Sequence, residues 1–480
     1  MQPDAVPEPM ALTRRGFVQS AAAAAFVGRF YGLADAFAAP PTRALSRPAH
    51  FPEQHIIQDL RVVTSEGVII FEPPRYSEAV TVRLRLDPTP SALAEARNEL
   101  EQHLRILDDG YPSTPGGLAV AVAWGLPYFN RFVPGQTRRE LPRDLRATAA
   151  HGHPVAVLEP SERFPSDPRD LVLDENDVAV LLRSDSLDRL AEGYETIFSP
   201  ETDFLEVTSR RQGFAGGGFA GGAGLPKQMA TAAGVPGAES IPHGAELFLG
   251  FTSTPKEKAG RERIVNLETL GYVDLAPSQY FRHGSHMHLS HLYEDLVAWY
   301  GKTTEPGRIA SMFRPGLDVA PERLTLPQGP AQTETTAEVL DDVKRHGLVG
   351  HSGSIQTSSR LRHAVLGPDG VLYGKGTPIA HRADFNTLDN PFSFSVDPER
   401  DRMKTGAAAG LHFVVFNPSS DDFCRNRLAM DGKLTDAPAL PLEPRSREMG
   451  INSVIRATHR QNFLVPPRIH RSFPLSELPA

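Results

Sequence analysis

One cysteine, Cys424, stands in 480 residues. An internal disulfide is thereby excluded in any redox compartment, and so is a thiolate metal cluster. Any metal or haem would rest mainly on His, carboxylate or Met. Positive charge is also short. Lys and Arg number 50 against 58 Asp and Glu, a net charge of −8 with no basic block. That balance argues against nucleic acid as a partner. Beyond Pro40 no stretch approaches the roughly 20 apolar residues that a membrane helix needs. Proline, by contrast, is plentiful (43 residues) and falls mostly between periodic segments. Apolar residues continue throughout, so these segments read as long ordered connections rather than disorder. The length suffices for a large core and two or three domain-sized units.

The amino terminus carries an address. Thr13-Arg14-Arg15-Gly16-Phe17 is followed by a mild, alanine-rich apolar run from Val18 to Leu33, then by Ala36-Phe37-Ala38. Paired arginines, a short apolar run and a small-residue cleavage site in that order predict a twin-arginine export signal over 1–38, cut near Ala39. The run is too short and too weakly apolar for a stable span. The expected location is periplasmic or extracellular. This route carries proteins already folded, so a cofactor loaded in the cytoplasm is expected.

Val80–Leu86 alternates apolar and charged residues as a half-buried strand does. Ser91–Leu107 has helical spacing at Leu93, Ala96, Leu100, Leu104 and Leu107. Strands are predicted at Leu118–Trp124, Asp177–Leu182 and Phe204–Ser209, with a helix at Leu187–Ile197. The order β-α-β-β-α-β is that of a ferredoxin-like unit, α+β with an antiparallel sheet. The glycine-rich stretch 213–224 lacks the context of a phosphate loop and reads as a flexible or closely packed connection. The second half repeats the theme. Strands are expected at Glu246–Phe251, Ser285–Leu289 and Leu411–Phe416, and helices from Tyr293 and over Ser420–Met430. The expected organisation is an extension over 39–74, ferredoxin-like units over 75–235 and 236–435, and a wrapping tail over 436–480.

Two groups of residues carry possible chemistry. His283, His286, His288 and His291 cluster in sequence, and strand alternation puts His286 and His288 on one face. With His291 they form a candidate divalent-metal group, or else a polar strand end lining a pocket. The second group is His351, in Gly350-His351-Ser352, with Arg382 and Asp384 downstream. Spacing alone leaves open an ordinary surface histidine and a salt-bridge arginine.

The segments LAVAVAWGLPYF (118–129), RRQGF (210–214), ELFLGF (246–251), GHS (350–352), IAHRADF (379–385), AGLHFVVFNPSSDDF (409–423) and FLVPP (463–467) together resemble the dye-decolourising peroxidase superfamily. The resemblance covers about 75–470. It implies two ferredoxin-like units in a dimeric α+β barrel. It also implies haem b held by His351 on the iron, with His288 lining the pocket and Arg382 beside the peroxide. Hydrogen peroxide and a small organic molecule would be the substrates, and a homo-oligomer is possible. An imidazole donates charge to iron, and an arginine stabilises charge developing as O–O breaks. Asp431 and Asp436 are candidate acceptors for the other N–H of His351. The family's distal G-x-x-D-G motif is altered here, where Ser253 takes the place of its Asp, and serine is a poor base near neutral pH. Asp384 is expected to replace it. The alternatives are a haem protein without catalysis, and a haem-free scaffold that binds a ligand or uses the histidine group for a metal.

Overall fold

The computed structural model describes residues 30–37, 51–65, 68–218, 223–251, 263–264, 279–315, 335–361, 364–366, 372–373, 379–389, 393–395, 399, 406–434, 437, 440 and 445–479. Eight strands form its centre: β1 (Tyr76–Leu84), β2 (Ala119–Gly125), β3 (Val178–Ser184), β4 (Leu205–Phe214), β5 (Ser285–Glu294), β6 (Phe385–Asp389), β7 (Ala408–Asn417) and β8 (Ile455–Val465). In the first unit β1 lies between β3 and β4, and β2 pairs the far edge of β3. In the second, β5 lies between β7 and β8, and β6 pairs the far edge of β7. All these pairs are antiparallel, and each unit has the ferredoxin-like strand order.

The two sheets join at both edges. Phe463↔Gly125 and Leu464↔Trp124 tie β8 to β2. Asn386↔Phe214 and Thr387↔Gly213 tie β6 to β4. The strands therefore close into a ring, a barrel made of two ferredoxin-like sheets. Its interior explains the alternation in the sequence. The first unit supplies small side chains, Ala79, Ala121, Ala123 and Ala179, and the second supplies large ones, Met287, Leu289, Phe385, Phe416 and Phe463. Large against small at facing positions packs this part of the space between the sheets.

Helices cover the outer faces. α2 (Pro90–Gly110) starts where the Thr89 hydroxyl accepts from Ala92 N and Pro90 occupies the first turn. It buries Leu93, Ala96, Leu100, Leu104 and Leu107, one stripe at helical spacing, in the core with Val80, Val82, Val180 and Leu182. α3 (Leu187–Ile197) packs beside it. A short α1 (Leu33–Phe37) contacts α4 (Leu225–Ala233). α5 (Glu305–Met312), α6 (His351–Ser359) and α7 (Ser420–Met430) belong to the second unit. Among the described residues no helix is long and apolar enough to cross a membrane.

Three expectations need correction. The strand expected at Glu246–Phe251 is a turn, with Gly250 at φ 90°. Its carbonyls accept from side chains rather than from a strand backbone: Asn386 Nδ2 donates to Glu246 O, Tyr300 Oη to Phe248 O and Trp299 Nε1 to Leu249 O. The strand expected over Ser285–Leu289 runs on to Glu294, because two neighbours pair it along its whole length. The segment expected as a wrapping tail contains β8, the edge strand through which the second unit joins the first, and only the residues after it wrap. There Trp124 Nε1 donates to Arg471 O at 2.9 Å, and the Tyr128 hydroxyl to Pro474 O at 2.9 Å. Of the two readings of the glycine-rich stretch, Gly216 and Gly224 take the close-packed one. A Cβ on Gly216 or Gly224 would fall 1.7 or 1.8 Å from a backbone oxygen of Glu246 or Ala245.

Candidate functional site

The side chains singled out from the sequence lie mostly on the outer face of the second sheet. One row crosses four strands in register: Arg382 of the two-residue strand His381–Arg382, Val415 of β7, His288 of β5 and Asn462 of β8. Side chains directly opposite one another in a sheet share a face. The next row, His381, Phe416, Met287 and Phe463, points into the barrel. Arg382 and His288 thus stand on the same face with Val415 between them. α7 covers part of this face, and α6 packs on α7.

His288 is fully committed. Its Nδ1 is 2.7 Å from Asn462 Oδ1, its Nε2 is 2.7 Å from Ser290 Oγ, and its ring stacks on Phe423 of α7. Burial, reinforced by the Arg460 charge, holds it neutral, well below its ordinary range. His286 lies two residues away on the same face, and burial lowers its pKa to about 3. His291 is three residues from His288 and so points into the barrel. There its Nδ1 meets Thr458 Oγ1 at 2.5 Å, and its ring lies 6.2 Å from that of His412. His283 pairs with Glu53 instead, at 2.9 Å. The group His286, His288, His291 therefore does not assemble. Among the described residues no three His, Cys, Asp or Glu side chains are placed to hold a metal ion.

His351 is the first residue of α6. Gly350, its N-cap, packs so closely on Phe313 that a Cβ would come 2.0 Å from the Phe313 carbonyl oxygen. Gly450 closes the other side, where a Cβ would lie 3.2 Å from His351 N. Burial lowers the His351 pKa to about 4, and the charges of Arg427 and Arg382 push it the same way. The imidazole is therefore neutral at pH 7, as a metal ligand must be. Its Nδ1 is sealed from solvent and has no hydrogen-bond partner. A buried, unsatisfied ring nitrogen costs free energy unless something engages it. An imidazole of this kind fits axial ligation of haem. Asp431 does not accept from it. That carboxylate receives Arg427 Nη1 at 3.1 Å, Asn452 Nδ2 at 3.1 Å and Ser166 N at 3.2 Å. Asp436 and Ser253 lie outside the described residues.

Arg382 and Asp384 are two residues apart on one strand face, with Nε and Oδ1 3.9 Å apart. Asp384 has an unexpected neighbour. Glu294, at the end of β5, is 5% exposed, and its Oε2 has no hydrogen-bond partner. Burial and the Asp384 charge raise its pKa to about 8, so it is protonated at neutral pH. Sequence reasoning passed over Glu294, because an acid closing the polar, histidine-rich run 285–293 gives no local signal of burial. It also passed over Arg427 of α7, braced by Asp431 and Asp167, whose charge helps lower the His351 pKa.

A cavity of about 320 Å3 opens at the start of α7, between Phe164, Phe423, Arg460 and Asn462 and the rim histidines His151 and His153. Neither His351 nor Arg382 lines it.

Residues 74–467 match the model of a family of unknown function, DUF7405. The chain belongs to that family. No curated protein matches the sequence. Among solved structures, the DUF7405 chain is similar to the DyP-type peroxidase from Cellulomonas bogoriensis. Identity is 15%, the TM-score is 0.50, and the match covers 87% of this chain and 96% of that one. The encapsulated DyP-type peroxidase from Mycobacterium smegmatis matches at 11% identity and TM-score 0.46, covering 85% and 96%. A variant of DypB from Rhodococcus jostii RHA1 in complex with heme matches at 13% and 0.44, covering 84% and 96%. The first of these shows the fold: the barrel described above is that of the DyP-type peroxidases. At such identity the likeness extends no further than fold.

Proposed function

We propose that this chain binds haem b through His351 and turns over hydrogen peroxide against a small organic reductant. The observation that carries the reading is the His351 ring: neutral, with a sealed and unpartnered Nδ1, and within the electrostatic reach of Arg382.

Haem would supply the redox iron on which the peroxide O–O bond is cleaved. The chain's own residues supply the rest. The α6 N-terminus, clamped between Phe313 and Gly450, fixes the imidazole. Arg382 keeps a full positive charge where an anionic oxygen would develop. Asp384, held near that guanidinium, moves the peroxide proton in place of the carboxylate that Ser253 lacks. Protonated Glu294 discourages a second negative charge beside Asp384. Export by the twin-arginine route belongs to the same reading and is supported by residues 14–38.

The test is the absorption spectrum and iron content of protein from cells supplied with haem precursor, beside His351→Ala. A stoichiometric Soret band lost in the variant supports the ligand assignment. A colourless, iron-free, folded wild type overturns it. A haem-loaded wild type that fails to oxidise dye with peroxide would retain haem binding and remove the peroxidase step.

A further inference from the structure

The leader expected over 1–38 does not stop at the protein's surface. Residues 30–37 are part of the folded body. Tyr31 is 0% exposed. Its ring lies 6.0 Å from the Phe214 ring, at the end of β4. Its hydroxyl oxygen accepts from Leu388 N of β6 at 3.1 Å. Ala34 is also 0% exposed, and its carbonyl accepts from Arg75 Nη1 at 3.2 Å, while Asp35 lies 3.7 Å from the same guanidinium.

These partners have a common place in the fold. β4 and β6 form one of the two seams where the units meet. Among the described residues β4 and β6 are joined by the pairs Asn386↔Phe214 and Thr387↔Gly213, helped by Ser393–Ser395 lying against β4. Tyr31 touches both sides, ring on β4 and hydroxyl on β6. The other seam, β2 with β8, also shows two pairs among the described residues. It is bridged in the same manner by Gln54. The Gln54 Oε1 accepts from Val122 N at 3.0 Å, and its Nε2 donates to Pro466 O at 2.7 Å. One N-terminal segment thus fastens both seams.

We infer that residues 30–37 stay in the finished protein as a clasp across the β4–β6 seam, and are not removed by processing at Ala36-Phe37-Ala38. Processing there would require an extended substrate. Ala36 lies in α1, so cutting would unwind that helix and withdraw Tyr31 from its slot. A chain folded before transport, as this route demands, presents the clasp already closed. The inference needs neither haem nor peroxide.

The experiment expresses the full chain in a host with twin-arginine transport and measures the intact mass and N-terminal peptide of the folded protein. The expected N-terminus lies before Tyr31. Folded protein beginning at Ala39 or Pro40 overturns the inference. A second arm compares thermal melting of Tyr31→Ala, Tyr31→Phe and wild type, all full-length. Tyr31→Ala should melt several degrees lower. Tyr31→Phe, which keeps the ring but loses the bond to Leu388 N, should fall between. Melting unchanged in both variants overturns the clasp, even if Tyr31→Ala alone proves hard to purify.

Discussion

Acid should loosen this protein well before its carboxylates titrate, and His55 measures the effect. His55 enters from the N-terminal segment, 3% exposed, with its ring 5.2 Å from Phe416 and 6.0 Å from His381. Neither ring nitrogen has a hydrogen-bond partner. Burial alone lowers its pKa from 6.5 to about 3. The folded state therefore holds His55 neutral down to about pH 3, while the unfolded chain takes up a proton below 6.5. Stability is fully present above pH 6.5 and is lost as pH falls toward the folded value. At pH 5 the unfolded state gains about 2 kcal/mol from this one proton, and at pH 7 almost nothing. His286, lowered to about 3, and His351, lowered to about 4, each add about the same in the haem-free chain, roughly 6 kcal/mol in all.

Glu294 opposes them. Its folded pKa is raised from 4.5 to about 8, so its penalty grows as pH rises and relaxes on acidification. Between pH 7 and 5 that returns about 2.5 kcal/mol. The net loss is thus about 3–4 kcal/mol, a large part of a typical folding stability of about 5–15 kcal/mol. Urea unfolding of wild type and His55→Gln at pH 7 and pH 5 isolates the histidine. The variant is less stable at both pH values, but its loss between them should be smaller by about 2 kcal/mol. Equal losses in the two proteins would refute the claim that His55 is held neutral by burial.

Other perturbations separate local causes. Gly350→Ala places a Cβ 2.0 Å from a backbone oxygen and should cost about 1–3 kcal/mol in denaturant melts, with loss of the haem band if His351 is the ligand. Asp384→Asn should abolish peroxide turnover while leaving the haem spectrum largely intact, and normal turnover in that variant would remove Asp384 from the mechanism. Glu78→Ala should cost about 3–5 kcal/mol. It strands Arg210, whose guanidinium Glu78 grips through contacts of 2.7 and 2.9 Å inside the first unit. Little change in the urea midpoint would show that Arg210 finds another partner.

What the sequence made legible follows the physics of each segment. The first unit was readable because β1 to β4 and their helices carry clean periodicity. Val80, Val82 and Leu84 alternate with residues that face the barrel, and Leu93 to Leu107 hold one helical stripe. β8 was not. Its sequence, Ile455–Val465, is mostly polar, and its buried Thr458, Arg460, Gln461 and Asn462 look like a loop until their partners are known. Gln461 holds Asn176, Asn462 holds His288, and Arg460 holds Asp167, so a polar strand becomes affordable only in three dimensions. The site divides along the same line. His286 and His288 fall on one face because strand parity is legible in sequence, and the same parity sends His291 to the other side, whereas Arg382 joins His288 only through register across β7. The neighbours that set chemistry, Glu294 beside Asp384 and Arg427 beside His351, come from elements more than 70 residues away, which no local spacing could reveal. Parity along a strand is a local property; the electrostatic field on a side chain belongs to the whole fold.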